Sequence, residues 1–209
     1  ADWINANCPQ YNQVTHLGDL VYEDYNDDGK IDDDDRQIVG SLIPRYTYGL
    51  TLNFGWKGIN LSAQFQGVGK ADAYISGAYT QPCVSGGTFQ RSHLDNWTPE
   101  NPGAKYPRLS YTSDLNKKQS TFWMADASYC RLKNLQLSYT FPERIARMLH
   151  LQGLMVYANA TNLFTLSDYY DGYDPETAYQ SGSQGATTGS IGNNYPLVST
   201  YTFGVEIKF

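Results

Sequence analysis

The sequence is short of charge, of cysteine and of long apolar runs. Charged residues make up 17% of the 209 positions, against about 25% in an average soluble domain. Acidic residues outnumber basic ones, 21 to 15, for a formal net charge of −6. No basic stripe is available to displace counterions from phosphate, which excludes a nucleic-acid partner. No stretch approaches the roughly 20 apolar residues of a membrane helix; the longest uninterrupted run, Leu154 to Ala158, is five residues. That shortage leaves a membrane barrel open, because alternation hides the hydrophobicity of a spanning strand. The three cysteines, at 8, 83 and 130, form no CxxC pair, and an odd, widely spaced set is neither a disulfide framework nor a zinc site. Cys8 and Cys83 could pair only if their loops met; the simpler reading makes all three small apolar residues. The histidines, at 16, 93 and 150, form no metal pair, and no GxSxG nucleophile elbow is present, so nothing points to an enzyme. The chain opens Ala1-Asp2-Trp3, with no start Met and no signal peptide, which reads as a processed or truncated N-terminus.

What is abundant is 18 Tyr, 19 Gly and an aromatic share of 14%. Disordered chains lack this mixture, and β-structure uses it. From Arg45 the residues alternate. Tyr46, Tyr48, Leu50, Leu52, Phe54 and Trp56 are apolar or aromatic, while Thr47, Gly49, Thr51, Asn53 and Gly55 are polar or small. Successive strand side chains point to opposite faces, so one face is apolar and the other polar. After Lys57-Gly58 the pattern resumes with Ile59, Leu61, Ala63 and Phe65. A two-residue hairpin would set Trp56 opposite Ile59 and keep both apolar faces together. Leu135, Leu137, Tyr139 and Phe141 alternate in the same way, as do Tyr201, Phe203, Val205, Ile207 and Phe209. Leu154 to Phe164 is weaker, because Asn162 interrupts its apolar face.

The alternation predicts five long strands, 45–56, 59–69, 128–141, 153–165 and 198–209. Soluble strands are usually 5–6 residues long, whereas a tilted membrane strand needs about 9–11. Aromatics near the strand ends match interfacial girdles, and the polar faces match a wet lumen. The expected fold is therefore all-β, an antiparallel transmembrane β-barrel. Connections alternate between short (57–58 and 142–152) and long (70–127 and 166–197). This is the pattern of periplasmic turns and extracellular loops, and it puts the C-terminus on the periplasmic side. Pro142 suits the first position of a helical turn in the second short link. Five strands are too few to close a barrel, for which about eight is the minimum, so the chain reads as a piece of a larger one. Residues 1–44 form an extracellular segment and 45–209 the barrel strands with their loops.

Within residues 1–44 lies Asp24-Tyr25-Asn26-Asp27-Asp28-Gly29-Lys30-Ile31-Asp32-Asp33-Asp34-Asp35. Counted from Asp24, side-chain oxygens fall at loop positions 1, 3, 5, 9 and 12, and Gly falls at 6. That is the spacing of a calcium loop. Asp24, Asn26, Asp28, Asp32 and Asp35 would supply side-chain oxygens and Lys30 its backbone carbonyl. Asp35 stands where such loops favour Glu, and the competing reading is a solvated acidic turn. No helix pattern flanks the loop.

The motif order resembles the C-terminal part of SusC/RagA-type TonB-dependent outer-membrane transporters. The residues that carry it are Gly18-Asp19-Leu20-Val21-Tyr22-Glu23-Asp24, the Arg45 to Gly69 hairpin, Asn96-Trp97-Thr98-Pro99-Glu100-Asn101-Pro102 and Tyr106-Pro107-Arg108-Leu109. They continue with Ala127-Ser128-Tyr129-Cys130-Arg131-Leu132-Lys133-Asn134, Asn162-Leu163-Phe164, Gly172-Tyr173-Asp174-Pro175-Glu176 and a Phe-terminated last strand. The resemblance covers nearly the whole chain. It implies a barrel of about 22 strands with an N-terminal plug, embedded in the outer membrane of a Gram-negative bacterium. It further implies import of oligosaccharides or peptides, a SusD-like surface lipoprotein as lid, and energy from TonB acting on a plug that this sequence does not contain. Cys130 departs from the pattern, which leads one to expect a larger apolar residue there. Phe209 resembles the barrel-assembly signal. Trp97, Tyr169, Tyr170, Tyr173 and Tyr179 are candidates for stacking on cargo or meeting the lid, with Asp171 and Asp174 as hydroxyl acceptors. Two rival readings are a calcium-dependent carbohydrate-binding β-sandwich and a passive outer-membrane pore.

Overall fold

A computed structural model describes residues 3, 6, 11, 13–75, 80, 82, 89–111, 113–169, 173–179 and 197–209. The described strands are β1 (Tyr46–Trp56), β2 (Ile59–Gly69), β3 (Asp72–Tyr74), β4 (Met124–Asp126), β5 (Tyr129–Thr140), β6 (Gly153–Leu166) and β7 (Thr200–Lys208). The five long ones begin and end within a residue or two of the limits of the alternation. They form one antiparallel sheet in the order β1-β2-β5-β6-β7, and β3 and β4 form a separate two-stranded sheet. No local signal announced β3 and β4, because three residues are too few to display a period.

The register explains why the sheet has two faces. Trp56 pairs with Ile59 across the tight turn, and Leu52 with Ala63. The row continues to Leu135, Ala160 and Tyr201. Lys57 (φ 47°) and Gly58 (φ 88°) both take left-handed backbone, as a type I′ hairpin requires. Gly58 is also sterically required, since a Cβ there would lie 2.6 Å from the Thr140 carbonyl oxygen.

Two irregularities preserve the phase. Between β2 and β5 the register shifts at Gln64/Phe65, leaving Lys133 as an extra residue. Between β5 and β6 it shifts again, and Asn162 and Leu163 fall between the partnered Thr161 and Phe164. Asn162 has a φ of 50°, which Asn tolerates better than most residues. With two extra residues, Phe164 and Leu166 stay on the apolar face, opposite Leu132 and Cys130. The interruption at Asn162 is therefore a β-bulge rather than a weak strand. The small side chain of Cys130 has a reason too. The Tyr48 hydroxyl donates to the Tyr129 carbonyl (2.9 Å), and its ring lies over Gly67, which faces Cys130.

The chain divides into two compact units. The sheet belongs to one. Its small buried clusters are Val68, Ala71 and Tyr129, and Ala73, Ala127 and Tyr169 with Tyr173 alongside. The other comprises the described residues up to Gly40 together with Tyr74–Met124. In that unit Tyr106 and Trp123 stack with centroids 6.3 Å apart, and Leu115 and Ile75 are fully buried. The link 142–152 holds a helix, Glu143–Met148, but Pro142 sits at its N-cap (ψ 146°) rather than in its first turn. Among the described residues no helix is long and apolar enough to cross a membrane.

Candidate functional site

Three features of the sequence bear on function: the acidic loop, the faces of the sheet, and the loop residues near the strand ends.

In the acidic loop four carboxylates, Asp24, Asp28, Asp32 and Asp35, and the Asn26 side chain accept backbone N–H bonds. Asp24 accepts from Gly29 (2.7 Å) and Asp28 (3.2 Å). Asn26 accepts from Asp28 (3.0 Å) and Asp28 from Lys30 (2.9 Å). Asp32 caps a short 3-10 turn, Asp33–Asp35, and Asp35 closes the loop by accepting from Asp32 (2.9 Å) and Tyr25 (2.9 Å). These bonds, that from Asp32 foremost, hold the Asp35 carboxyl below its usual pKa. Among the described residues no three His, Cys, Asp or Glu side chains are gathered as a metal centre. Ile31 is buried and anchors the loop's middle.

Upstream of that loop, Asp19 is a hub that sequence reasoning missed. Its carboxylate is completely buried (0% exposed) and lies 2.6 Å from the Arg108 Nε. It also accepts from the Asn116 side-chain amide (2.8 Å) and the His16 backbone (2.8 Å). Asn116 in turn accepts from the Leu20 N–H, and its carbonyl takes the Trp123 indole N–H. Nearby, the Tyr22 hydroxyl donates to the Leu115 carbonyl (2.6 Å). Burial, the largest cause, raises the Tyr22 pKa well above its ordinary value. The Gly-Asp-Leu and Tyr-Pro-Arg-Leu motifs thus fasten one unit internally. The Trp97 ring lies flat on Gly18, where the backbone has a φ of 83°, so one face of that indole is already covered.

The second missed hub lies on the polar face of the sheet. Arg131 faces the same side as its partners Gln66 and Thr165. Its Nε donates to the Thr165 hydroxyl (2.7 Å), one terminal nitrogen to Asp174 (2.6 Å) and the other to Glu176 (2.7 Å). Lys133, the extra residue of the bulge, adds a bond to Glu176 (2.7 Å). Asp174 also accepts the N–H groups of Glu176 (3.0 Å) and Leu197 (3.1 Å). Two cations in one strand and two acids about 40 positions later were the available signal. Apolar alternation along the strand does not reveal it. Asp174 is thus committed to Arg131 and backbone donors, and Tyr169 is packed with Ala73 and Ala127. Tyr173 borders that cluster, while Tyr170 and Asp171 lie outside the described residues, as does the Tyr179 side chain.

The opposite face is apolar and uncovered. Leu50 is 53% exposed, Phe54 62% and Phe203 80%. Among the described residues this face is left open, where the β-sandwich expectation would have it covered. Phe209 follows β7 and is 85% exposed. At the two ends of β1, Lys57 lies over the Trp56 ring (5.0 Å) and Lys70 over the Tyr46 ring (5.8 Å). Cation and aromatic together suit a membrane–water boundary at each end of the strand.

An antiparallel sheet of long strands, apolar on one side and polar on the other, is the wall of a transmembrane β-barrel. Comparison with known proteins agrees. No protein-family model matches the chain. The TonB-dependent receptors P3 and P26 of Formosa agariphila are 30% and 29% identical to it, each over 92% of its length. Solved structures of the RagAB peptide importer match as well. The open-open state matches with a TM-score of 0.62 at 28% identity, and the closed-closed state with 0.64 at 27%, each covering 87% of the chain. The chain is thus homologous to TonB-dependent receptors over nearly its whole length, and its fold matches part of the RagAB importer. It spans about a fifth of these relatives: 19% and 20% of the two receptors, and 19% of the importer chain.

Proposed function

We propose that the protein to which this chain belongs is a TonB-dependent importer of the outer membrane. Its cargo is peptides or oligosaccharides, taken up with a SusD-like lipoprotein as lid. The observation that carries this is the match to the RagAB peptide importer over 87% of the chain at 28% identity. The sheet supports it, since the apolar face suits lipid and the polar face a wet lumen. In this reading the Lys57-Gly58 turn, the 142–152 link and the C-terminus are periplasmic, and Phe209 is the assembly signal. The plug that TonB engages belongs to parts of the receptor outside this chain. The loop from Asp24 to Asp35 binds a structural Ca²⁺. Its support is the spacing of Asp24, Asn26, Asp28, Asp32 and Asp35, with the Lys30 carbonyl, around the Gly29 turn (φ 81°).

The test is uptake in the source bacterium with the receptor gene deleted. Fluorescein-labelled casein peptides and labelled maltooligosaccharides are supplied separately. We expect deletion of the receptor, or of TonB, to abolish entry of the peptides. Loss confined to the oligosaccharides would reassign the cargo, and unchanged uptake of both would sink the importer reading.

A further inference from the structure

The helix Glu143–Met148 buries only Ala146. Ile145 is 40% exposed, Met148 75% and Leu149 57%. Positions i, i+3 and i+4 lie on one side of a helical turn, so these three form one uncovered apolar stripe. Beside it run Arg144 and Arg147, three apart and both exposed. At the end of the apolar face, the helix follows directly on Tyr139 and Phe141, whose rings meet edge to face at 4.9 Å. Lys57 belongs to the same end of the sheet, since Thr140 donates its N–H to the Gly58 carbonyl (2.8 Å). Four cations (Lys57, Arg144, Arg147 and Lys208) therefore stand at this end against two acids, Glu143, which is 2.8 Å from Arg147, and Glu206, which is 3.3 Å from Lys208.

We propose that this helical turn is a membrane foot: Ile145, Met148 and Leu149 dip into the adjacent leaflet, and Arg144, Arg147 and Lys57 bind the phosphates of anionic phospholipids. Two features select a lipid surface over a protein partner. The apolar stripe begins four residues after Phe141, at the end of the face that this reading sets against acyl chains. The flanking charge is complementary to anionic head groups, as in other interfacial amphipathic helices. The foot rests on the reading of the sheet as barrel wall, and the experiment separates the two.

Full-length receptor with no other reactive cysteine carries either Met148→Cys or Leu52→Cys, labelled with nitrobenzoxadiazole. It is reconstituted into phosphatidylcholine vesicles with and without phosphatidylglycerol, containing doxyl-labelled lipid as quencher. The Leu52→Cys probe reports on the wall; absence of quenching there would overturn the barrel reading and the foot together. The Met148→Cys probe is expected to be quenched by shallow doxyl groups, most strongly with phosphatidylglycerol present. Removing charge by Arg144→Gln and Arg147→Gln should lower the docked-to-undocked ratio roughly 5-fold per residue. Leu52→Cys quenched but Met148→Cys water-exposed in both mixtures would overturn the foot alone. Blue-shifted Met148→Cys emission without lipid quenching would overturn it as well, by showing that protein covers the stripe.

Discussion

Arg131 is 4% exposed and holds Asp174, 5% exposed, with Glu176 and Lys133 completing the set. Two charges of each sign balance, Arg131 and Asp174 buried and Lys133 and Glu176 half-buried, yet the value of such a network lies more in fixing one geometry than in net stability. Breaking it from one side leaves a desolvated charge behind. Arg131→Met is expected to destabilise the receptor by about 3–5 kcal/mol, measured by denaturant unfolding in detergent. Adding Asp174→Leu to that variant should recover much of the loss. A single variant as stable as the parent would show that the network is solvated in practice. Some residues were legible in the sequence and others were not, for a physical reason. Leu50 or Phe203 is placed by a period, which a sequence displays. The partners of Asp19 and Arg131 lie 89 and 43 positions away, and no local pattern encodes such a distance.

At the scale of elements, the hairpin at Lys57-Gly58 was readable because loop length and register agree only one way. The helical turn after Pro142 was readable only in outline, since proline suits both the cap and the first turn. The acidic loop was readable as a spacing, and its behaviour can be worked out from its bonds. The Asp35 carboxyl has a pKa depressed by N–H donors from Asp32, Tyr25 and Asn26. A depressed carboxylate contributes loop stability above its unfolded pKa of about 3.9, and that contribution is lost as pH falls through the lower folded value. The loop should therefore hold at neutral pH and loosen only in strong acid. With Ca²⁺ bound, EDTA at neutral pH should speed tryptic cleavage after Lys30 several-fold, and Asp28→Ala should mimic it. Equal cleavage with and without EDTA in the parent would count against the ion.

Taken whole, the described sheet has two unpaired edges, β1 and β7. Open edges in hydrocarbon cost several kcal/mol per unsatisfied backbone group. The remaining strands of the receptor must meet them. The 209-residue chain expressed alone should thus associate or require detergent, whereas the full-length receptor should run as a compact, heat-modifiable band on unheated gels. A monodisperse, detergent-free monomer of the chain alone would contradict the barrel. The barrel class was legible in advance because membrane thickness dictates strand length. The two small buried clusters and the β3–β4 pair were not, being assembled from residues distant in sequence.

The unequal bulges have a consequence for how such a wall can change. Crossing the same rung, β2 contributes no extra residue, β5 contributes Lys133, and β6 contributes Asn162 and Leu163. Loss of Lys133 would only straighten β5 against β2, with Leu132 and Cys130 still on the apolar face and Arg131 on the polar one, whereas a residue lost from a regular stretch such as Leu135–Thr140 turns the side chains beyond it to the other face. Insertions and deletions in the strands are therefore tolerated in pairs, or with a compensating bulge beside them. Loops carry no such parity rule. Related receptors should accordingly differ freely in loop length while their strands change length only by pairs of residues or at bulges.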